Sequence, residues 1–189
     1  MSPYRLPVWK HDTFSYTLPY LVDCKQHKEF LLANKDQLIP NFLCSSIGLI
    51  LHHGMQLDEH WPDICALAKN ELKTYDRYVV SSVYKLGRFM ALLGERNPEF
   101  WEIYEKKLVD EGLYRYLSER EAARLMRGMS EIGVGSDQLW ELLESVIRKH
   151  HAFLSRKDFG ELLDAFEISG KGSNETLRAL KKHSNYQLS

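Results

Sequence analysis

The sequence predicts an all-α fold: a short α-solenoid of about 3.5–4 helix-turn-helix repeats behind an extended N-terminal arm. Three observations predict it. Gly54, Gly94, Gly133 and Gly170 recur at intervals of 40, 39 and 37 residues, a period within 37–40. Seven residues after each stands a large apolar side chain: Trp61, Trp101, Trp140 and Leu177. Apolar residues around these markers are spaced by three and four, the period of one helix face. A constant short interval inside a nearly constant longer one marks a repeated unit that buries its apolar face only against its neighbours.

Each position in the unit has a physical reason. The glycine follows an apolar helical run (Leu125, Met126, Met129 and Ile132 in the third block) and supplies the left-handed residue that ends a helix. Four residues on come Asp58, Pro98, Asp137 and Asn174. Asp and Asn are expected to N-cap the next helix, and Pro98 to enter its first turn after Asn97. Glu59, Glu99, Gln138 and Glu175 follow, mostly acidic, as a helix N-terminus favours. The tryptophan then opens a second apolar stripe, which in the third block runs Leu139, Trp140, Leu143, Val146 and Ile147. Three tryptophans at one equivalent position are expected to pack between hairpins.

The first helix of each block has its own start signal. Leu117-Ser118 with Glu121 is a capping-box pattern, and Leu154-Ser155 with Asp158 a weaker copy. Ile39-Pro40 serves the first block, and Asp76 is the candidate cap in the second. Residues 24–36 read as the second helix of a preceding half-block, with Phe30 and Leu31 on its apolar face. The array closes near Lys182. The division expected is therefore an arm over 1–22, a helical-repeat domain over 23–183 and a tail over 184–189.

The arm is broken by Pro3, Pro7 and Pro19 and carries Tyr4, Trp9, Phe14, Tyr16 and Tyr20. Too short to fold alone, it either packs back on its own first helices or lies on a partner, where aromatic side chains are favoured.

The repeat length, the Leu-Ser-x-x-Asp/Glu opening and the Gly followed by Asp and Leu-Trp together resemble the organellar helical repeats. These are the octotricopeptide, heptatricopeptide and FAST-kinase-like repeats. The best matching stretch is Leu154 to Leu180, with Asp158-Phe159-Gly160-Glu161-Leu162-Leu163-Asp164-Ala165-Phe166, and Leu117 to Leu154 is next. The resemblance covers about residues 38–182, loosely in the first two blocks. It implies a mitochondrial location. It also implies one of two roles: organellar RNA binding, or a structural subunit of a large mitochondrial assembly such as a respiratory complex, the ATP synthase or the mitoribosome. A very short array and a net charge of −1 favour the subunit, whose partners would be other proteins of the complex. RNA binding is the alternative, and any membrane contact is expected to be indirect.

Arg120, Arg124 and Arg127, spaced by four and three, share a helix face. That face is either solvated and paired with glutamates or a contact for RNA phosphate, anionic lipid or an acidic protein. Arg148 with Arg178, Lys181 and Lys182 would extend a basic stripe across later repeats.

No enzyme is expected. The eight histidines include the adjacent pairs His52-His53 and His150-His151, whose side chains point to different helix faces, and no His-Glu-x-x-His or Cys-x-x-Cys is present. No metal and no cofactor are expected. Gly133-Val134-Gly135 and Gly170-Lys171-Gly172 read as inter-helix turns, since no strand precedes either. The cysteines Cys24, Cys44 and Cys65 read as reduced thiols, mostly helix packing residues. The first twenty residues hold only Arg5 and Lys10 as strong bases, which does not make a clear cleavable presequence.

Overall fold

The computed structural model describes residues 32–33, 43–48, 61–150, 154–178 and 180. Among these the fold is all-α. Six α-helices and two 3-10 turns account for the bounded elements, and no strand occurs among the described residues. The arm residues Tyr4, Trp9, Phe14, Tyr16 and Tyr20, the marker Gly54 and the cap candidate Asp58 lie outside the described residues. The chain divides into two compact units, residues 1–71 and 72–189.

In the first unit, residues 43–48 are helical, and Leu43, Cys44 and Ile47 are buried there. Helix α1 (Trp61–Thr74) begins at the first marker tryptophan. Its Trp61, Ile64, Cys65 and Ala68 are buried at spacings of three and four, so one face carries the apolar load.

The second unit is described more fully. It comprises α2 (Val80–Leu92), α3 (Pro98–Val109), α4 (Glu119–Ile132), α5 (Asp137–His150) and α6 (Arg156–Ser169). The 3-10 turns Arg77–Val79 and Leu113–Tyr116 precede α2 and α4, and a helical segment over 174–178 follows α6. Helix α4 packs on α2, α5 and α6, and α3 packs on α5. First helices of successive blocks therefore touch one another, as do second helices.

Helix ends follow local chemistry. Gly94, Gly133 and Gly170 have φ of 78°, 71° and 68°, the left-handed conformation expected of the marker glycines. At Gly94 the amide of Glu95 donates to Met90 O (3.0 Å) and that of Gly94 to Ala91 O (2.9 Å), a Schellman ending. Gly133 repeats it through Val134 to Met129 O and Gly133 to Ser130 O. Gly170 uses the simpler single bond from its own amide to Phe166 O.

The helix starts correct one expectation. Asp137 and Asn174 are not the N-caps. Ser136 Oγ accepts the amide of Leu139 (3.1 Å), and Ser173 Oγ accepts that of Thr176 (3.2 Å). The cap must be the last residue before the helix, and in both blocks a serine stands there. Asp137 falls inside the first turn, where its charge still faces the positive helix end. Asn97 caps α3 by accepting the Glu99 amide, with Pro98 in the first turn as expected. Ser118 and Glu121 form the full capping box on α4, and Ser155 caps α6 through the Asp158 amide. Asp76 caps the 3-10 turn Arg77–Val79 rather than α2 itself.

The core forms where these faces meet. Trp101, Phe100 and Tyr104 make an aromatic cluster on α3, with Trp101 edge-on to both neighbours at 5.2 and 5.4 Å. Tyr104 lies directly over Gly87 of α2, where an added Cβ would sit 2.1 Å from its ring. Helix α4 meets three neighbours because its buried face is built partly of small residues, Ala122, Ala123 and Gly128. At Gly128 an added Cβ would come within 3.1 Å of Ala91 Cβ on α2.

The two fully described marker tryptophans of this unit are equivalent in place and unequal in bonding. Trp101 is 7% exposed and its indole N–H donates to Glu95 O at 2.8 Å. Trp140 is 2% exposed, and its indole nitrogen has no protein acceptor among the described residues. Trp140 is therefore held by ring packing and not by an indole hydrogen bond to the described residues. Trp140→Ala is expected to cost about 3–5 kcal/mol in urea unfolding. Trp140→Phe should cost clearly less than Trp101→Phe, because only the latter removes an indole hydrogen bond within the fold. Gly133→Ala should cost about 1–2 kcal/mol from backbone conformation alone, since no atom lies within 4 Å of the added Cβ. Gly133→Asn should recover part of that loss in the same assay.

Candidate functional site

Arg120, Arg124 and Arg127 do share one face of α4, as their spacing implies, and that face is turned onto α6. Asp158, in the first turn of α6, is wholly buried. Arg124 Nε lies 2.6 Å from its Oδ1, and Arg120 Nε 3.1 Å from its Oδ2. Arg127 reaches Glu131 at 3.0 Å and Asp164 of α6 at 3.8 Å. All three guanidiniums therefore meet carboxylates within the fold.

Burial by itself would raise the Asp158 pKa. The Ser155 hydroxyl and the Arg124 and Arg120 guanidiniums more than offset this and hold it below its ordinary value. The charged form is thus favoured by the folded state. Its stabilisation is fully present above the ordinary carboxylate pKa and is lost as pH falls through the lowered folded value.

A second polar device joins successive second helices. Glu105 of α3 accepts the amide of Ser136 (3.2 Å) and its hydroxyl, at the start of α5. Glu144 of α5 does the same for Ser173 (3.2 Å) and also accepts from the Thr176 hydroxyl. Glu105 and Glu144 each stand four residues after a marker tryptophan, and Ser136 and Ser173 three after a marker glycine. Each glutamate places a negative charge on the N-terminus of the next block's second helix.

Around Glu144 a cleft of about 500 Å³ opens between α5 and the turn after α6. Its charged groups pair with one another. Lys171 Nζ sits 2.8 Å from Asp137 and 5.9 Å above the Trp140 ring, and Arg148 contacts Glu144 at 3.6 Å. No group of three side chains suited to a metal ion occurs among the described residues. No described helix is long and apolar enough to cross a membrane.

Sequence reasoning missed a third feature. The 3-10 turns before α2 and α4 carry Arg77-Tyr78 and Arg115-Tyr116, dipeptides 38 residues apart, one repeat period. Tyr78 is 79% exposed and Tyr116 54%. Arg77 donates to the Tyr78 hydroxyl at 2.8 Å and lies 4.9 Å from that ring centroid. Arg115 stands 5.6 Å over the Tyr114 ring and donates to its hydroxyl at 3.3 Å. The repeat interval was the signal that could have found these dipeptides.

Two stability measurements test the α4–α6 junction. Arg124→Ala should destabilise the protein by up to about 3 kcal/mol at neutral pH, because it strips a buried carboxylate of its nearest cation. Asp158→Asn should unfold more easily than the parent at pH 7, with the difference shrinking as pH drops below about 4. A pH-independent difference would show that the carboxylate charge is not what matters.

No protein-family model matches the chain, and no curated protein matches it.

Proposed function

We propose that this chain is a short α-solenoid acting as a non-catalytic scaffold or accessory subunit of a large mitochondrial assembly, through protein–protein contacts. The assembly would be a respiratory complex, the ATP synthase or the mitoribosome. The observation that carries the reading is the order of helix neighbours. Helices α2, α4 and α6 contact in succession, and α3 contacts α5. Two glutamates, one in each of two successive blocks, bond to the helix start of the following block. A row built this way buries each hairpin only against its neighbours and offers a long side to partners.

The mitochondrial location rests on the resemblance to organellar helical repeats. The preference for a protein partner over RNA rests on charge. The arginine face that would have met phosphates is occupied by Asp158, Glu131 and Asp164, and the whole chain carries −1.

The test is a pull-down of the tagged full-length protein from mitochondria, with and without RNase, read by mass spectrometry. A defined set of proteins that survives RNase is expected, and its membership identifies the assembly. Loss of those proteins on RNase treatment, with RNA recovered by crosslinking, would replace this reading with RNA binding. A protein that runs as a free monomer and copurifies with nothing would remove both.

A further inference from the structure

We propose that the outward face of α2, centred on Lys85 and Arg88, docks an acidic segment of a partner protein. The proposal rests on the scaffold reading above and assigns one of its contact surfaces.

The face belongs to a single helix, so its members are held together by the helical period. Ser81, Lys85, Arg88 and Leu92 follow one another at spacings of four, three and four. Phe89 lies beside Arg88, and Tyr78 stands three residues before Ser81 in the 3-10 turn that leads into the helix. Tyr78, Ser81, Lys85 and Leu92 are exposed, and Arg88 and Phe89 are half-buried. The opposite side of the helix carries the buried Val83, Leu86, Gly87 and Met90. No Asp or Glu occurs between Arg77 and Gly94. The carboxylates that flank this stretch are engaged, since Asp76 accepts the Tyr78 amide and Glu95 the Asn97 amide.

The repeat itself displays what such a face accepts. Counted from the marker glycines, Ser81, Lys85 and Arg88 of α2 correspond to Arg120, Arg124 and Arg127 of α4. Those arginines take carboxylates of α6: Asp158 meets Arg120 and Arg124, and Asp164 lies 3.8 Å from Arg127. Helix α4 does not offer α2 the same carboxylates. At the position of Asp164, six residues before the glycine, α4 has Arg127. At the position of Asp158 it has Glu121, whose carboxylate accepts the Ser118 amide in the capping box. Lys85 and Arg88 accordingly have no ion pair among the described residues.

An incoming carboxylate therefore displaces no internal partner. The Arg88 guanidinium receives it through two parallel bonds, and Lys85 adds a point charge one turn away. A single exposed aromatic is ordinary. Here Tyr78 at one end of the face and Leu92 at the other frame the cations with apolar surface, and tyrosine and arginine are enriched at the energetic centres of protein interfaces. A nucleic acid or an anionic membrane fits less well, because both gain affinity from many cations spread along a track. The cations that would extend this one, on α4, are already taken by α6.

The experiment uses the full-length protein in cells of its source, with Ser81→p-benzoylphenylalanine for photo-crosslinking, a position on the face that removes no charge. Glu102→p-benzoylphenylalanine, on the exposed side of α3, is the control. Adducts are identified by mass spectrometry. The expected adduct at position 81 is a protein segment with more Asp and Glu than Lys and Arg. Its yield should fall about tenfold in the Lys85→Glu, Arg88→Glu background, with the control adducts unchanged. If that pair lowers the melting temperature, Lys85→Gln, Arg88→Gln replaces it, and a smaller fall in the same direction is expected. An adduct with RNA or phospholipid, an adduct with a neutral or basic segment, or a yield indifferent to the charge changes would overturn the proposal. So would no adduct at 81 while RNase-resistant partners still copurify, and in that case the scaffold reading stands without this site. If no protein copurifies, the scaffold reading itself falls and the site with it.

Discussion

Asp158 has no access to water, so its charge has to be balanced inside the protein. It sits in the first turn of α6, where the Ser155 hydroxyl and Arg124 and Arg120 of α4 supply that balance. A buried carboxylate tolerates only the helix arrangement that brings those partners to it. The pair therefore specifies how α6 lies on α4, and α4 is the helix on which α2, α5 and α6 all pack. Apolar burial supplies the gross driving force, and the ion pair selects among the ways that burial could be achieved. Gly128 lets α4 come close to Ala91 of α2.

The second helices are joined by a different device with the same logic. Glu105 and Glu144 reach forward to the serine that starts the next block's second helix. Each glutamate accepts the amide and the hydroxyl of the serine that caps the next helix, so the placement of a cap depends on the neighbouring helix. That makes adjacent blocks cooperative. In the last block the position equivalent to these glutamates is Lys181, four residues after Leu177, so the sequence does not continue the chain of carboxylates past it. Equivalent positions also differ in bonding: Trp101 has an acceptor for its indole, and Trp140 has none among the described residues.

Among the described residues most of the charged groups at the helix junctions are paired. The charged residues of the α5 cleft close on one another, and the α4 arginines close on α6. The turns before α2 and α4 present tyrosine and arginine outward. In a helical fold the turns are the places where a side chain can vary without disturbing the contacts between helices.

The sequence by itself determined where helices begin and end. Ser118 with Glu121, Asn97 with Pro98, and the left-handed glycines 94, 133 and 170 act within a few residues, so spacing alone exposes them. It also marked Trp101 and Trp140 as buried, because a bulky residue at a fixed phase of an apolar stripe has one place to go. The two misplaced caps, Asp137 and Asn174, have the residue type of a cap at the wrong helix phase. Only the tertiary structure decided which partner each charge takes. Arg124 with Asp158, Glu105 with Ser136 and Glu144 with Ser173 join residues about thirty apart. Such pairings depend on which helix lies beside which and at what rotation. That is set by how whole faces pack, a quantity no local window of sequence contains.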